Sequence, residues 1–407
     1  MSHTIQIIDP TRFPSWDSML LRTPGATFFH GSAWARVLSE SYGYTPLYFS
    51  VIDDEKLRAL VPMMEVNSFL TGKRGVSLPF TDYCDPLINK SVESPDRAEM
   101  FHKIVGFGKK RGWKYIELRF GDNPLPVSCS QFAVSVSKNS GRLDSRASSL
   151  DPRSAVLVPR SSFLDRSQLP APRFPLSVPS TQHTSPCPFA VYLGHTLDLT
   201  RGEKVLQAGL RDSTRRNIRK AAARGLDVRI THDLEGIREF YRLHCLTRKL
   251  HGLPPQPFSF FKKIHERVIS TGQGFVVLAS RGGKNIAGSV FFYFGDRVLF
   301  KYGASDRKYQ DLRANNLVMW EAVKWFAERG FKTLCLGRTD MENEGLRQFK
   351  NGWGAGENQI QYFKYDLRQD AFIAARPKGK PAYTSLFRAT PIPVLNVIGS
   401  LVYRHIG

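Results

Sequence analysis

The chain repeats itself, and that repetition constrains its fold more than any other feature. The stretch AEMFHKIVGFGKKRGWKYIELRFG runs through Arg111-Gly112-Trp113-Lys114 into an apolar strand. NLVMWEAVKWFAERGFKTLCLGRT does the same through Arg329-Gly330-Phe331-Lys332. Each reads as an amphipathic helix, a glycine C-cap and a short buried strand. Upstream of each lies a strand, a polar turn and a second strand: LYFSVIDDEKLRALVPMMEV in one half, GFVVLASRGGKNIAGSVFFYF in the other. A single helix–glycine–strand unit recurs by chance, but two elements recurring in the same order point to duplication. Residues 34–41 supply the early helix of the first half, and residues 234–250 and 258–271 take that place in the second. The expected fold class is α/β (α+β), with mixed sheets flanked by helices and the plan used twice.

Composition divides the chain. Residues 1–122 read as the first domain, and residues 191–368 as a basic connecting helix followed by the second domain. Between them, 123–190 is rich in Ser, Pro and Arg without a sustained hydrophobic period, which reads as a disordered insertion. Residues 369–407 form a basic and apolar tail ending TPIPVLNVIGSLVYRHIG. That segment is too short to span a bilayer, so packing on the body is expected ahead of lying on a membrane. The N-terminus, MSHTIQIIDPTRF, lacks the features of a secretory signal. Cys84, Cys129, Cys187, Cys245 and Cys335 are scattered singly, which indicates neither a zinc ribbon nor a disulfide framework, and no metal site. The cytoplasm is the expected compartment.

Charge supplies the first functional clue. Lys and Arg number 58 against 36 Asp and Glu, a net +22 that favours polyanionic partners. Nucleic acid, nucleotide-linked substrates and an anionic membrane surface all qualify. The insertion accounts for little of the excess, so most of it lies on the folded parts. GEKVLQAGLRDSTRRNIRKAAARG places Arg211, Arg215, Arg219 and Lys220 near one side of a helix with few acids to neutralise them.

The order in each half, helix, hairpin, further strand, helix, strand, resembles the GNAT acyltransferase plan, used twice. Five blocks narrow the resemblance: HGSAWARVLSESYGY, SLPFTDYCDPL, STRRNIRKAAARGL, YGASDRKYQDLRANNLVMWEA and GRTDMENEGLRQFKNGWGA. They resemble the Fem family of peptidoglycan-bridge aminoacyltransferases, and more narrowly the FemAB-like proteins associated with exosortase and exopolysaccharide systems. The last block is the most specific, matching a G-L-x-x-F-K-x-x-[FW]-G run. There is no long coiled-coil arm, the insertion departs from the pattern, and TDYCDPL differs from the P-R-G-P-V-type run of the bridge-forming enzymes.

The resemblance implies acyl transfer to an amine of a cell-envelope or polysaccharide precursor at the inner face of the cytoplasmic membrane. No permanently bound cofactor is expected, and DNA is not an expected partner. Such transfer needs a base for the amine and a stabiliser for the carbonyl oxygen as it becomes an oxyanion. No Ser-His-Asp or Cys-His constellation is legible, and Cys245 and His251 read as structural, so direct transfer is expected. By the resemblance, Lys350 stabilises the oxyanion and the ester donor while Phe349 shapes the site. An ammonium 4 Å from that charge gives about 4 kcal/mol at an effective dielectric of 20. Asp82 and Asp340 follow expected strands; Asp82 is the first candidate base, with Tyr83 as a positioning hydroxyl and Asp306 next. Arg215, Arg219 and Lys220 are candidates for attracting an anionic substrate, as similar groups meet a nucleotide diphosphate or lipid-linked pyrophosphate in the bridge-forming relatives. Asn217, Tyr302, Asn316, Arg338 and Asp340, all within matching blocks, complete the candidate substrate-binding set.

The donor is the second choice to be made. GNAT enzymes grip the coenzyme A pyrophosphate with a glycine-rich turn opening a helix. Here that place reads Asp311-Leu312-Arg313-Ala314-Asn315-Asn316, without the glycines. Aminoacyl-tRNA is therefore expected ahead of acyl-coenzyme A. Two alternatives stand beside the Fem-type reading: a coenzyme A-dependent N-acyltransferase for an amino sugar of an exported polysaccharide, and a non-catalytic basic adaptor for tRNA or an anionic precursor.

Overall fold

The computed structural model describes residues 4–88, 97–121, 188–374 and 383–407, so residues 123–187 of the insertion read from the sequence lie outside the described residues. The first half contains β1 (Gln6–Ile8), α1 (Trp16–Leu21), α2 (Ser32–Tyr42), β2 (Thr45–Asp53), β3 (Lys56–Val66), β4 (Arg74–Val76), β5 (Leu87–Ile88), α3 (Arg97–Arg111) and β6 (Tyr115–Phe120). The second opens with β7 (Ala190–Asp198), α4 (Gly202–Ala208), α5 (Asp212–Ala223), β8 (Asp227–Thr231), α6 (Leu234–Leu250) and α7 (Phe258–Ile264). It continues through β9 (Gly274–Arg281), β10 (Lys284–Phe294), β11 (Arg297–Ser305), α8 (Ala314–Glu328), β12 (Thr333–Cys335) and β13 (Thr339–Asp340). α9 (Glu344–Asn351), β14 (Gly356–Asp366), β15 (Ala371–Phe372), α10 (Tyr383–Ala389) and α11 (Ile392–Ile406) close the chain.

The duplication is visible in the hydrogen bonding. In the first half β3 pairs β4 antiparallel, α3 crosses over, and β6 returns parallel to β4. In the second half β10 pairs β11 antiparallel, α8 crosses over, and β12 returns parallel to β11. Gly112 and Gly330, with φ of +71° and +76°, end the two crossover helices in the left-handed conformation that a side chain disfavours. The aromatic that follows each is then turned inward. Trp113 donates to Glu65 Oε2 at 2.6 Å, and the Phe331 ring meets Trp325 and Phe326.

The halves are fused. β14 lies between β6 and β7, antiparallel to both, so one mixed sheet runs β1-β2-β3-β4-β6-β14-β7-β12-β11-β10-β9-β8. Helices flank it, as expected for the α/β class. A single apolar cluster also crosses between the halves: Trp34 of α2 packs against Phe28, Phe29, Phe260 of α7 and Phe292 of β10. A second cluster lies under α8, around Phe326, Phe275 and Trp353.

Two local readings are refined. The basic connecting segment is two helices, α4 and α5, parted at Gly209–Arg211, where Arg211 N–H donates to Gly352 O at 3.0 Å. The C-terminal segment is a helix that packs on the body. Buried Arg74 donates to the carbonyls of His405 and Gly407, and Tyr44 Oη to that of Tyr403.

Candidate active site

β11 and β12 run side by side only from Arg297–Leu299 against Thr333–Cys335. The chain then leaves β11, turns at Gly337 (φ +72°) and pairs with β7 through Thr339–Asp340. The splay opens a cavity of about 510 Å³. Gly303 and Ala304 of β11 keep one wall low, while Leu336–Arg338 form the other. Phe349 and Lys350 of α9 reach in from one side, and Leu250 and His251 from the end of α6.

Lys350 is 3% exposed. Its Nζ donates to Gly337 O at 2.8 Å and to Arg338 O at 2.9 Å. An ammonium has three N–H groups, so one remains for the cavity. Burial pulls the Lys350 pKa down to about 8, with Asp82 working in the opposite direction.

Asp82 sits on the other side of Gly337. A Cβ at position 337 would stand 3.1 Å from Asp82 Oδ2, so the glycine is what lets the carboxylate approach the turn. Lys301 Nζ and Arg338 Nε lie 4.0 and 3.9 Å from the Asp82 carboxylate. The loop carrying Asp82 is strained. Leu78 and Phe80 hold φ of +56° and +57°, which costs a non-glycine residue about 1–2 kcal/mol.

Buried donors hold the loop there. Arg119 Nη1 donates to the carbonyls of Leu78 and Thr81, Lys301 Nζ to that of Phe80 at 2.6 Å, and Tyr362 Oη to that of Asp82 at 2.6 Å. Glu117 neutralises Arg119 through two hydrogen bonds. Lys301 also faces the rings of Phe29, Trp34 and Tyr302. Burial lowers its pKa, again opposed by Asp82. Arg338 donates to Tyr362 Oη at 2.6 Å and stacks over Tyr192. One carboxylate thus sits among Lys301, Arg338 and Lys350, a field suited to an anionic group or a developing oxyanion.

Residues 208–351, which include most of this site, match the Acetyltransferase (GNAT) domain family. The Lipid II:glycine glycyltransferase of Staphylococcus haemolyticus is 32% identical over 94 residues, covering 21% of this chain and 22% of that protein. The Staphylococcus epidermidis protein of the same name is 31% identical over 106 residues, covering 24% and 25%. The matched region thus spans about a quarter of these relatives' length. In fold, the chain is similar to the crystal structure of FemX, with a TM-score of 0.59 at 13% identity over 90% of this chain and 98% of that one. Together these matches place a GNAT domain within residues 208–351, a local similarity to Lipid II:glycine glycyltransferases, and a fold like that of FemX.

The candidate residues read from the sequence fall in different places. Lys350, Phe349, Asp82 and Arg338 share the cavity, and Phe349 is braced on Trp353. Tyr83 points the other way, into a second cavity of about 490 Å³, with its hydroxyl 3.8 Å from Cys335 Sγ. Tyr302 is a core residue, its ring against Phe240, His244 and Phe261, while Lys301 beside it is the extra residue of a bulge in β11. Asp340 is exposed beyond the turn, and Asn316 is buried in the first turn of α8, with neighbouring Asn315 on the cavity wall. Asp306 caps the following turn by accepting from Lys308 N–H. On α5, Arg215 donates to the carbonyls of Ala208 and Leu210, closing the end of α4. Asn217, Arg219 and Lys220 lie on the same helix and do not line the cavity. Cys245 donates to Asn396 and does not pair with His251, which lines the cavity.

Lys301, Arg119 and Tyr362 were not found from sequence. Lys301 carried a usable signal, a lone cation inside the apolar strand VLFKYGA. Arg119 with Glu117 showed an i, i+2 charge pair on one strand face. Tyr362 carried none, since only the β6–β14 pairing brings it to the loop.

Proposed function

We propose that this chain is an acyltransferase that moves an acyl or aminoacyl group directly to the amine of a cell-envelope precursor. The observation that carries this reading is the buried Lys350 amine, with one N–H to spare, across Gly337 from the Asp82 carboxylate. In the proposed reaction the acceptor nitrogen attacks the donor carbonyl. The N–C bond forms, the ester C–O bond breaks, and Asp82 takes the amine proton and passes it to the leaving oxygen. Lys350 meets the oxygen as it becomes an oxyanion. The match to lipid II glycyltransferases supports a lipid-linked, amine-bearing acceptor met at the inner face of the cytoplasmic membrane.

Aminoacyl-tRNA is the donor favoured here. In the turn before α8, Lys308 N–H is spent on the Asp306 carboxylate, and those of Tyr309, Arg313 and Asn316 on the carbonyls of Asp306, Gln310 and Arg313. A coenzyme A pyrophosphate would need such groups free. Arg307 and Asn315 on the cavity wall favour acyl-coenzyme A as the second reading.

Titration with acetyl-coenzyme A, charged tRNA and uncharged tRNA at two salt concentrations tests the choice. Preference for charged tRNA is the expected result, and saturable coenzyme A binding moves the assignment to the second reading. Ligand binding without turnover on any donor would leave a basic adaptor.

A further inference from the structure

α11 has two apolar faces, and only one is covered. Leu395, Gly399 and Tyr403 face the body; Gly399 packs so closely on the Pro255 backbone that a Cβ would not fit. The outer face carries Val394, Val397 and Leu401, with the last two 60% and 64% exposed. Their i, i+3, i+7 spacing makes one stripe. The stripe has neighbours at both ends. At its C-terminal end the loop bearing Phe69 and Leu70 abuts α11: the Phe69 ring meets His405 at 4.6 Å, and Thr71 Oγ1 donates to His405 O. Phe69 is 86% exposed, an extreme value for a phenylalanine. α10, with exposed Leu386, packs on the end of α6 where Gly252 meets the Thr384 backbone. Leu250, in the last turn of that helix, is itself exposed and lines the active-site cavity.

The segment that carries this face is basic in sequence. Residues 371–407 hold Arg376, Lys378, Lys380, Arg388 and Arg404 and no aspartate or glutamate. An apolar stripe on two helices that hold Arg388 and Arg404 and no acid suits the acyl boundary of an anionic bilayer better than a protein partner, whose surface carries both signs. Among the described residues no helix is long and apolar enough to cross a membrane. We infer that α10, α11 and the Phe69–Leu70 loop form a docking face that rests on an anionic lipid surface beside the mouth of the cavity. The inference deepens the proposed function, since a lipid-linked acceptor then meets the cavity through Leu250. The binding itself is measured without turnover.

The test uses the full chain in flotation with phosphatidylcholine vesicles, with and without phosphatidylglycerol. The expected result is binding to the phosphatidylglycerol vesicles that weakens with salt and falls about tenfold in a Val397→Asp, Leu401→Asp double variant. Lys350→Met is expected to bind vesicles like the wild type, which separates failure of docking from failure of catalysis. Leu401→Trp gives an independent reading, a blue shift of its emission on adding the same vesicles. The inference is overturned by absence of binding to phosphatidylglycerol vesicles or by equal binding of the double variant. A dimer that dissociates in the double variant, without vesicle binding by either form, overturns it in favour of a second copy on this face.

Discussion

Replacing Lys350 with methionine separates catalysis from stability, and the structure sets the size of both effects. An oxyanion 4 Å from the ammonium at an effective dielectric of 20 is stabilised by about 4 kcal/mol. At about 1.4 kcal/mol per tenfold, that is a ceiling near 10³ in rate. Loss of one oxyanion donor elsewhere costs about 10²–10³, so a fall in that range is expected. Folding should respond differently. The amine's pKa drops from 10.5 to about 8, which makes burying the protonated form cost about 3 kcal/mol at neutral pH. The variant removes that cost but leaves the carbonyls of Gly337 and Arg338 without their donor, at about 1–3 kcal/mol each. The two effects offset, and Tm should stay within about 5 °C of wild type.

The pH dependence fixes the sign. Below pH 8 both folded and unfolded chains hold the proton, and the wild type bears the full penalty. Between about 8 and 10.5 the unfolded chain holds the proton more tightly, so wild-type stability rises relative to the variant and the penalty is gone above that range. Single-turnover transfer from a labelled donor, with thermal melts at pH 7 and pH 9.5, reads both effects. A variant within threefold of wild-type rate, or one that loses rate only because it unfolds, would refute the argument.

Other outcomes follow from the same geometry. Because the protonated amine is the stabilising form, kcat/KM should fall above an apparent pKa of about 8; a profile flat to pH 10 would count against Lys350. Asp82→Asn should lower the rate by about 10²–10⁴ and move that falling limb to lower pH, because the carboxylate raises the Lys350 pKa. Rate measurements across pH read both. Lys301→Met frees the Phe80 carbonyl, so proteolysis within 78–82 should quicken together with a loss of rate; a rate loss with an unchanged cleavage pattern would argue against a positioning role. Gly337→Ala should cost about 1–2 kcal/mol for the left-handed backbone and crowd Asp82, read as a lower denaturation midpoint and reduced transfer.

Legibility followed the range of the interaction. The paired helix–glycine–strand units were readable because each is local: a 3.6-residue period, a φ that glycine tolerates and an apolar strand lie within a few turns of chain. Lys350 and Asp82 stood out as candidates because they lie in recognisable blocks beside expected strands. Tyr83 and Tyr302 stand in the same kind of block, yet an irregular loop at Tyr83 and a bulge in β11 beside Tyr302 turn each away from the cavity that its neighbour lines. Sequence gives spacing along the strand; it does not give which face opens onto the splay.

The chain's own pattern therefore settled the duplicated mixed α/β plan and the basic character, and with the family resemblance it nominated Lys350 and Asp82 as candidates. The tertiary structure decided the rest. It fused the halves through β14, which carries Tyr362 to the first half's loop, and it brought Lys301 and Arg119 to the carbonyls that hold Asp82 in place. Those contacts join residues from about 40 to 280 positions apart, and their stabilisation comes from desolvated donors meeting strained backbone. Local sequence preference encodes neither partner of such a contact.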